Sequence, residues 1–164
     1  MKSVIPVFLL IVITSCASRQ DFDLESETAL IMKLHEDQRT YHFEKDSISF
    51  PAQFGEDFIS VNRGEITRPT FEENKTRYHR YFSSVDFKKW DDQTEPEIFF
   101  SRDGTMAYTI VDKQVVLIYQ ERDTTFEQTT NFAWVTIYTK ASGDWKIACV
   151  ASTNKPSEIV PMID

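Results

Sequence analysis

Apolar residues recur at helical spacing in the first third of the chain and at strand spacing in the last third. From about Leu24 to Asp46 no glycine or proline intervenes. At about 100° per residue, Leu30, Ile31, Leu34 and Tyr41 fall within one sector of roughly 100°, which predicts a long helix with a core-facing stripe. Pro51 and Gly55 then break the chain after what reads as one short helical turn. Asp57-Phe58-Ile59-Ser60-Val61 reads as a strand, Asn62-Arg63-Gly64 as its turn and Glu65-Ile66-Thr67 as its return. Thr70-Phe71-Glu72-Glu73 has the form of a capping box, in which hydroxyl and carboxylate satisfy each other's backbone N–H groups. It predicts a second helix over about Phe71 to Phe82, with Pro69 discouraging an earlier start.

The remainder alternates. Ile98 to Ser101 and Thr105 to Val111 flank Asp103-Gly104, a strong hairpin signal. Val115 to Gln120 extends the second arm, with a bulge expected near Asp112. From Phe132 to Lys140 one face carries Phe132, Trp134 and Tyr138 and the other Ala133, Val135 and Ile137. Ser142-Gly143-Asp144 turns into a last strand, Trp145 to Thr153. Both faces of these strands are apolar, so one face covers a helix and the other helps enclose something. The order predicts an α+β domain, helices packed on a strongly curved antiparallel sheet.

Residues 1–15 follow a different pattern. Lys2 precedes an apolar run from Val4 to Ile13, and small residues then lead to Cys16. A basic start, a short apolar core and a small-residue end describe a secretory signal. The run is too short to span a bilayer, which takes about 20 residues. Cysteine directly after the small residues resembles the bacterial lipoprotein box. That resemblance implies lipidation of Cys16, removal of residues 1–15 and an exported domain anchored in the cell envelope. Ala17, where an acidic residue would favour retention, points to the outer membrane. Residues 16–25 read as a polar tether, 26–155 as one domain and 156–164 as a tail. Of the two cysteines, Cys149 then has no partner for a disulfide and reads as a small buried hydrophobe.

A net charge of −8 with no basic stripe argues against nucleic acid as a partner. It also argues against adsorption to anionic lipid, so membrane attachment falls to the lipid on Cys16.

The segments Leu34 to Arg39, Asp57 to Ile66, Trp90-Asp91-Asp92, Ser101 to Tyr108 and Trp134 to Lys140, with the closing Gly143-Asp144-Trp145-Lys146-Ile147, resemble the NTF2-like superfamily, in particular its SnoaL-like and DUF4440-type domains. The resemblance covers nearly all of the chain after Cys16. It implies a cone, a bent sheet wrapped around the long first helix with a pocket at the open end. In family enzymes a few polar groups in that pocket do acid/base work on an apolar substrate. The family also includes binding modules and assembly domains, so activity has to be argued from the site.

On the predicted first helix, His35, Arg39, His42 and Asp46 span about 60° beside the apolar stripe, and Gln38 lies within it. His42 and Asp46 stand four apart, the spacing at which a carboxylate can orient an imidazole for proton transfer. Tyr138 or Arg39 would stabilise developing negative charge, and Tyr108 is a second hydroxyl for that task. His35, Gln38, Arg39, Trp90, Phe100, Tyr108 and Trp134 are the expected pocket lining. His35 and His42 lie about 10.5 Å apart along the helix, too far for an easily shared ion, so neither metal nor cofactor is expected. Trp90-Asp91-Asp92 and Glu95 to Glu97 read as a solvated acidic loop. Three functions fit: a module binding a small apolar or amphipathic ligand, an isomerase- or hydrolase-like enzyme built on His42 and Asp46, and a homodimerising module joined through its sheet.

Overall fold

Asp23 starts the first helix. Its carboxylate accepts hydrogen bonds from the backbone N–H groups of Glu25 and Ser26 at 3.2 and 3.4 Å. Helix α1 (Leu24–Glu44) ends where Lys45 turns left-handed at φ 58°. Asp46 then starts α2 (Ser49–Ala52) by accepting from the N–H groups of Ile48 and Ser49 at 3.0 and 2.8 Å. Both halves of the Thr70–Glu73 capping box are formed at the start of α3 (Phe71–Ser84). The computed structural model describes residues 22–141 and 143–162, so the signal segment and Cys16 lie outside the described residues.

The strands are β1 (Phe54–Asn62), β2 (Glu65–Thr67), β3 (Asp86–Asp92), β4 (Glu97–Phe100), β5 (Met106–Glu121), β6 (Thr124–Ala141), β7 (Asp144–Asn154) and β8 (Glu158–Pro161). They form one sheet in the order β2-β1-β7-β6-β5-β3, with β4 also on β5 and β8 also on β6. The sheet is mixed rather than antiparallel throughout, because β1 runs parallel to β7. The two meet only after the whole meander between them has folded back, so no tight turn imposes antiparallel pairing. Residues 158–161, expected in a tail, add a strand along Phe126 to Thr129.

β5 and β6 pair without interruption from Met106–Thr139 to Glu121–Thr124, so the bulge expected near Asp112 is absent. Register shifts occur instead between Phe87 and Lys89 and between Ile137 and Tyr138. Such irregularities bend a strand and raise its twist, which helps the sheet wrap around α1.

The wrapped face of α1 differs from the expected stripe. Ile31, His35, Gln38 and His42 are its buried residues, whereas Leu30 is 47% exposed. The helix is rotated so that polar side chains face the sheet. Two apolar clusters fill the interior around them. Phe50, Phe82, Phe87, Trp90, Val115 and Leu117 surround the C-terminal end of α1. Ile31, Phe58, Ala107, Tyr138, Trp145 and Ile147 pack along its N-terminal half. Cys149 is a half-buried free thiol in β7.

Candidate functional site

Between α1, α3 and the concave face of the sheet lies a cavity of about 250 Å³. Its wall is mostly aromatic, with Phe50, Phe54, Phe58, Tyr78, Trp90 and Trp134 among the contributors. Gln38, His42, Ser60 and Thr136 supply polar atoms. Exposed Arg77 forms part of the rim, held over the Tyr78 ring at 4.6 Å and bonded to the Tyr78 hydroxyl at 2.9 Å. An apolar void of about 150 Å³ accepts one benzene ring, so this one suits a ligand of one or two rings.

His42 is a buried titratable group in this wall. Its imidazole stacks on Trp90 at 4.5 Å between centroids and meets Phe50, Phe82 and Phe87 edge-on at 4.8 to 5.2 Å. Nδ1–H donates to the Gln38 carbonyl at 2.6 Å, which fixes the tautomer and leaves Nε2 as the acceptor. Burial lowers its pKa to about 4, against the opposing pull of the Gln38 carbonyl and with help from the Lys113 charge. The group is therefore neutral at physiological pH.

His35, two turns earlier on α1, sits in a different setting. Its Nε2 donates to Asp92 Oδ2 at 2.9 Å, and Asp92 Oδ1 lies 2.6 Å from the Lys113 ammonium. Lys113 is 1% exposed and stands over the Trp90 ring at 3.8 Å. The Lys113 contact is a close ion pair rather than an aligned hydrogen bond, since Asp92 Oδ1 has no partner in bonding geometry. Burial pushes the Asp92 carboxyl up, but the hydrogen bond from His35 and the adjacent Lys113 ammonium together outweigh it and hold it below its ordinary value. Burial pushes the Lys113 ammonium down, and Asp92 offsets this only in part.

The sequence-predicted residues are thus partly gathered. Gln38, His42, Trp90 and Trp134 share the cavity wall. His35 points instead to Asp92, and Arg39 is an exposed partner of Asp91 at 3.1 Å. Asp46 does not orient His42, because its carboxylate is spent on the start of α2. Phe100 packs on Phe22 and Trp145 in the second cluster. Tyr108 lies on the outer face, 38% exposed and stacked on Phe99. Tyr138 is fully buried beside the cavity but not in its wall, and burial pushes its hydroxyl up to about 12. His42 and Asp46 therefore do not form the pair expected from their spacing, and Tyr138 does not complete an acid/base set with them.

Asp92 and Lys113 were missed. Trp90-Asp91-Asp92 is a strand rather than a loop. Lys113 carried a visible signal, since it occupies the inward phase of Ala107, Thr109, Val111, Val115 and Leu117 along β5. A lysine in the apolar phase of a strand needs a buried anion.

A mixed sheet curled around one long helix, with an apolar cavity at the helix's C-terminal end, defines an α+β cone. The chain has the NTF2-like fold. It resembles an NTF2-like protein from Cytophaga hutchinsonii (TM-score 0.58, 15% identity, 82% of this chain and 100% of that one). It also resembles a hexachlorocyclohexane dehydrochlorinase (0.63, 12%, 85% and 90%) and a ketosteroid isomerase-like protein from Erwinia carotovora atroseptica (0.61, 15%, 79% and 98%). The sequence matches no protein-family model and no curated protein. At these identities the likeness concerns the fold and carries no activity across.

Proposed function

We propose that this chain is a lipid-anchored domain of the cell envelope that binds a small, largely apolar ligand in the cone cavity. The aromatic lining around a neutral His42 carries the reading. Such a wall favours ring or hydrocarbon surface, and a few fixed polar atoms orient it. His42 with a pKa near 4 is a weak base, and among the described residues no carboxylate stands beside it to strengthen it, so binding is favoured over proton abstraction. Purification from membranes in mild detergent, followed by mass spectrometry under native and denaturing conditions, tests the binding. A bound organic molecule of one or two rings is expected, and Thr136→Trp, which fills the cavity, should abolish it. An empty wild-type protein that also binds no aromatic probe would sink the reading. The anchor is tested separately: Cys16→Ser should move the protein from the membrane fraction to the soluble one.

A second reading rests on the outer face of the sheet. Phe99, Met106, Tyr108 and Ile110 are exposed there, and register places Val135 beside Ile110 and Ile137 beside Tyr108. An apolar face of this kind suits a second copy of the chain. Sedimentation at rising concentration should show a dimer, and Ile110→Glu should return a monomer.

A further inference from the structure

Thr109 and Tyr138 are each 0% exposed, and although their hydroxyls lie within reach of neighbouring polar side chains, neither the Thr109 Oγ1 nor the Tyr138 hydroxyl has a partner in hydrogen-bonding geometry among the described residues. They are neighbours: β5 and β6 pair Thr109 with Thr136, and the Tyr138 hydroxyl sits among the side chains of Thr109, Thr136 and Gln38. Gln38 and Thr136 in turn form part of the cavity wall. A domain that buries a hydroxyl normally bonds it, and two orphans side by side against a cavity call for an occupant.

We propose that Gln38 and Thr136 in the cavity wall, with Thr109 and Tyr138 behind them, form a polar seat for a neutral oxygen, a carbonyl or hydroxyl, carried by an otherwise apolar ligand. The inference rests on the cavity being a binding site and adds the chemistry of the ligand's head. Tyr138 offers an O–H, Gln38 an amide N–H and the threonines hydroxyls that donate or accept, a set suited to an uncharged oxygen. Tyr138 stays protonated over the whole working range of pH, so it remains a donor. A carboxylate or phosphate fits poorly, because none of the described residues around Tyr138 is a cation, and the buried Lys113 farther along β5 is already held by Asp92. An ammonium fits no better, since among the described residues no carboxylate acts on the Tyr138 hydroxyl. Gln38 and Thr136 line the void whereas Tyr138 and Thr109 stand behind its wall, so a wall side chain such as Gln38 has to turn for the ligand oxygen to reach Tyr138.

Two probes of similar size separate the seat from the cavity: 2-acetylnaphthalene and the hydrocarbon 2-isopropylnaphthalene, titrated calorimetrically into the wild-type domain, Tyr138→Phe and Thr109→Val. The wild type should bind the ketone at least about tenfold more tightly. Tyr138→Phe should erase most of that preference while leaving hydrocarbon binding within about twofold, and Thr109→Val should reduce the preference less. Both substitutions remove an unpaired polar atom without adding bulk, and an unchanged melting temperature confirms that each variant is folded. Equal binding of the two probes by the wild type would overturn the seat and leave the cavity reading standing. So would a ketone preference that survives both substitutions. If neither probe bound, the cavity reading and the seat would fall together.

Discussion

Two histidines seven residues apart on one helix face meet opposite surroundings. His35 points at a carboxylate that is itself pinned by a buried lysine, so its region is a network of charge. His42 points into rings, and its polar contact is a carbonyl of its own helix. The helix cannot make this difference, because both residues occupy the same buried stripe. The covering elements make it. β3 and β5 bring Asp92 and Lys113 over the first histidine, while α2, α3 and the start of β3 bring Phe50, Phe82 and Phe87 over the second. Trp90 joins the two regions, with Lys113 over its ring and His42 stacked on it. One half of the interior therefore holds charge in place, and the other is uncharged and lined by rings.

The sharpest way to break that division is to remove the carboxylate. Asp92→Ala leaves Lys113 buried without its ion-pair partner; breaking a fully buried pair from one side costs about 3–5 kcal/mol, and the 26% exposure of the Asp92 side chain puts this loss at the low end of that range. Lys113 is 1% exposed and cannot escape to solvent without moving β5. Urea denaturation should show a loss of about this size. Combining Asp92→Ala with Lys113→Met should recover most of it, since no charge is then stranded. If the single variant unfolds at the wild-type urea concentration, the charged half is not holding the cone together.

The uncharged half has a signature in pH. Folded His42 takes a proton only near pH 4, whereas the unfolded chain takes it near the ordinary value of 6.5. Between those two values the unfolded state binds more protons. Stability is therefore complete above about pH 6.5 and falls as the pH drops toward 4, by roughly 3 kcal/mol in all. Asp92 does not contribute in this window. Its folded pKa lies below the carboxylate value, so its stabilisation persists down to about pH 4 and is lost only below that. His42→Leu should flatten the decline between pH 6.5 and 4, and a decline of unchanged slope in that variant would show that His42 is not its source.

The elements set by local chemistry were legible and the charged network was not. The Thr70–Glu73 box and the Asp103-Gly104 hairpin are written in four and two consecutive residues, and both form as expected. β3 escaped notice because its buried residues, Phe87 and Trp90, stand three apart. The register shift between them puts both on the inner face and destroys the alternation that marks a strand. The stripe on α1 was misplaced for another reason. Apolar periodicity favours Leu30 and passes over His35 and Gln38, whose burial depends on partners far along the chain. Asp92 lies 57 residues from His35, and no spacing rule on the helix could indicate it.

The smallest effect expected is also the most discriminating, because it makes the same exchange at both histidines. His42→Phe keeps a flat ring among Trp90, Phe50, Phe82 and Phe87 and gives up one hydrogen bond. The Gln38 carbonyl that loses Nδ1–H is also positioned to accept from the helix backbone, so no group is stranded. Removing a donor whose acceptor stays satisfied, and replacing it with an apolar ring, should change stability by less than about 1 kcal/mol. His35→Phe takes a charge-assisted donor from Asp92 and sets an apolar ring against a carboxylate, a loss of about 1.5–3 kcal/mol. Urea midpoints of the two variants, measured above pH 7 where neutral His42 costs nothing, should therefore fall in that order. Equal midpoints would mean that the two histidines share one environment and that the division of the interior described above is not real.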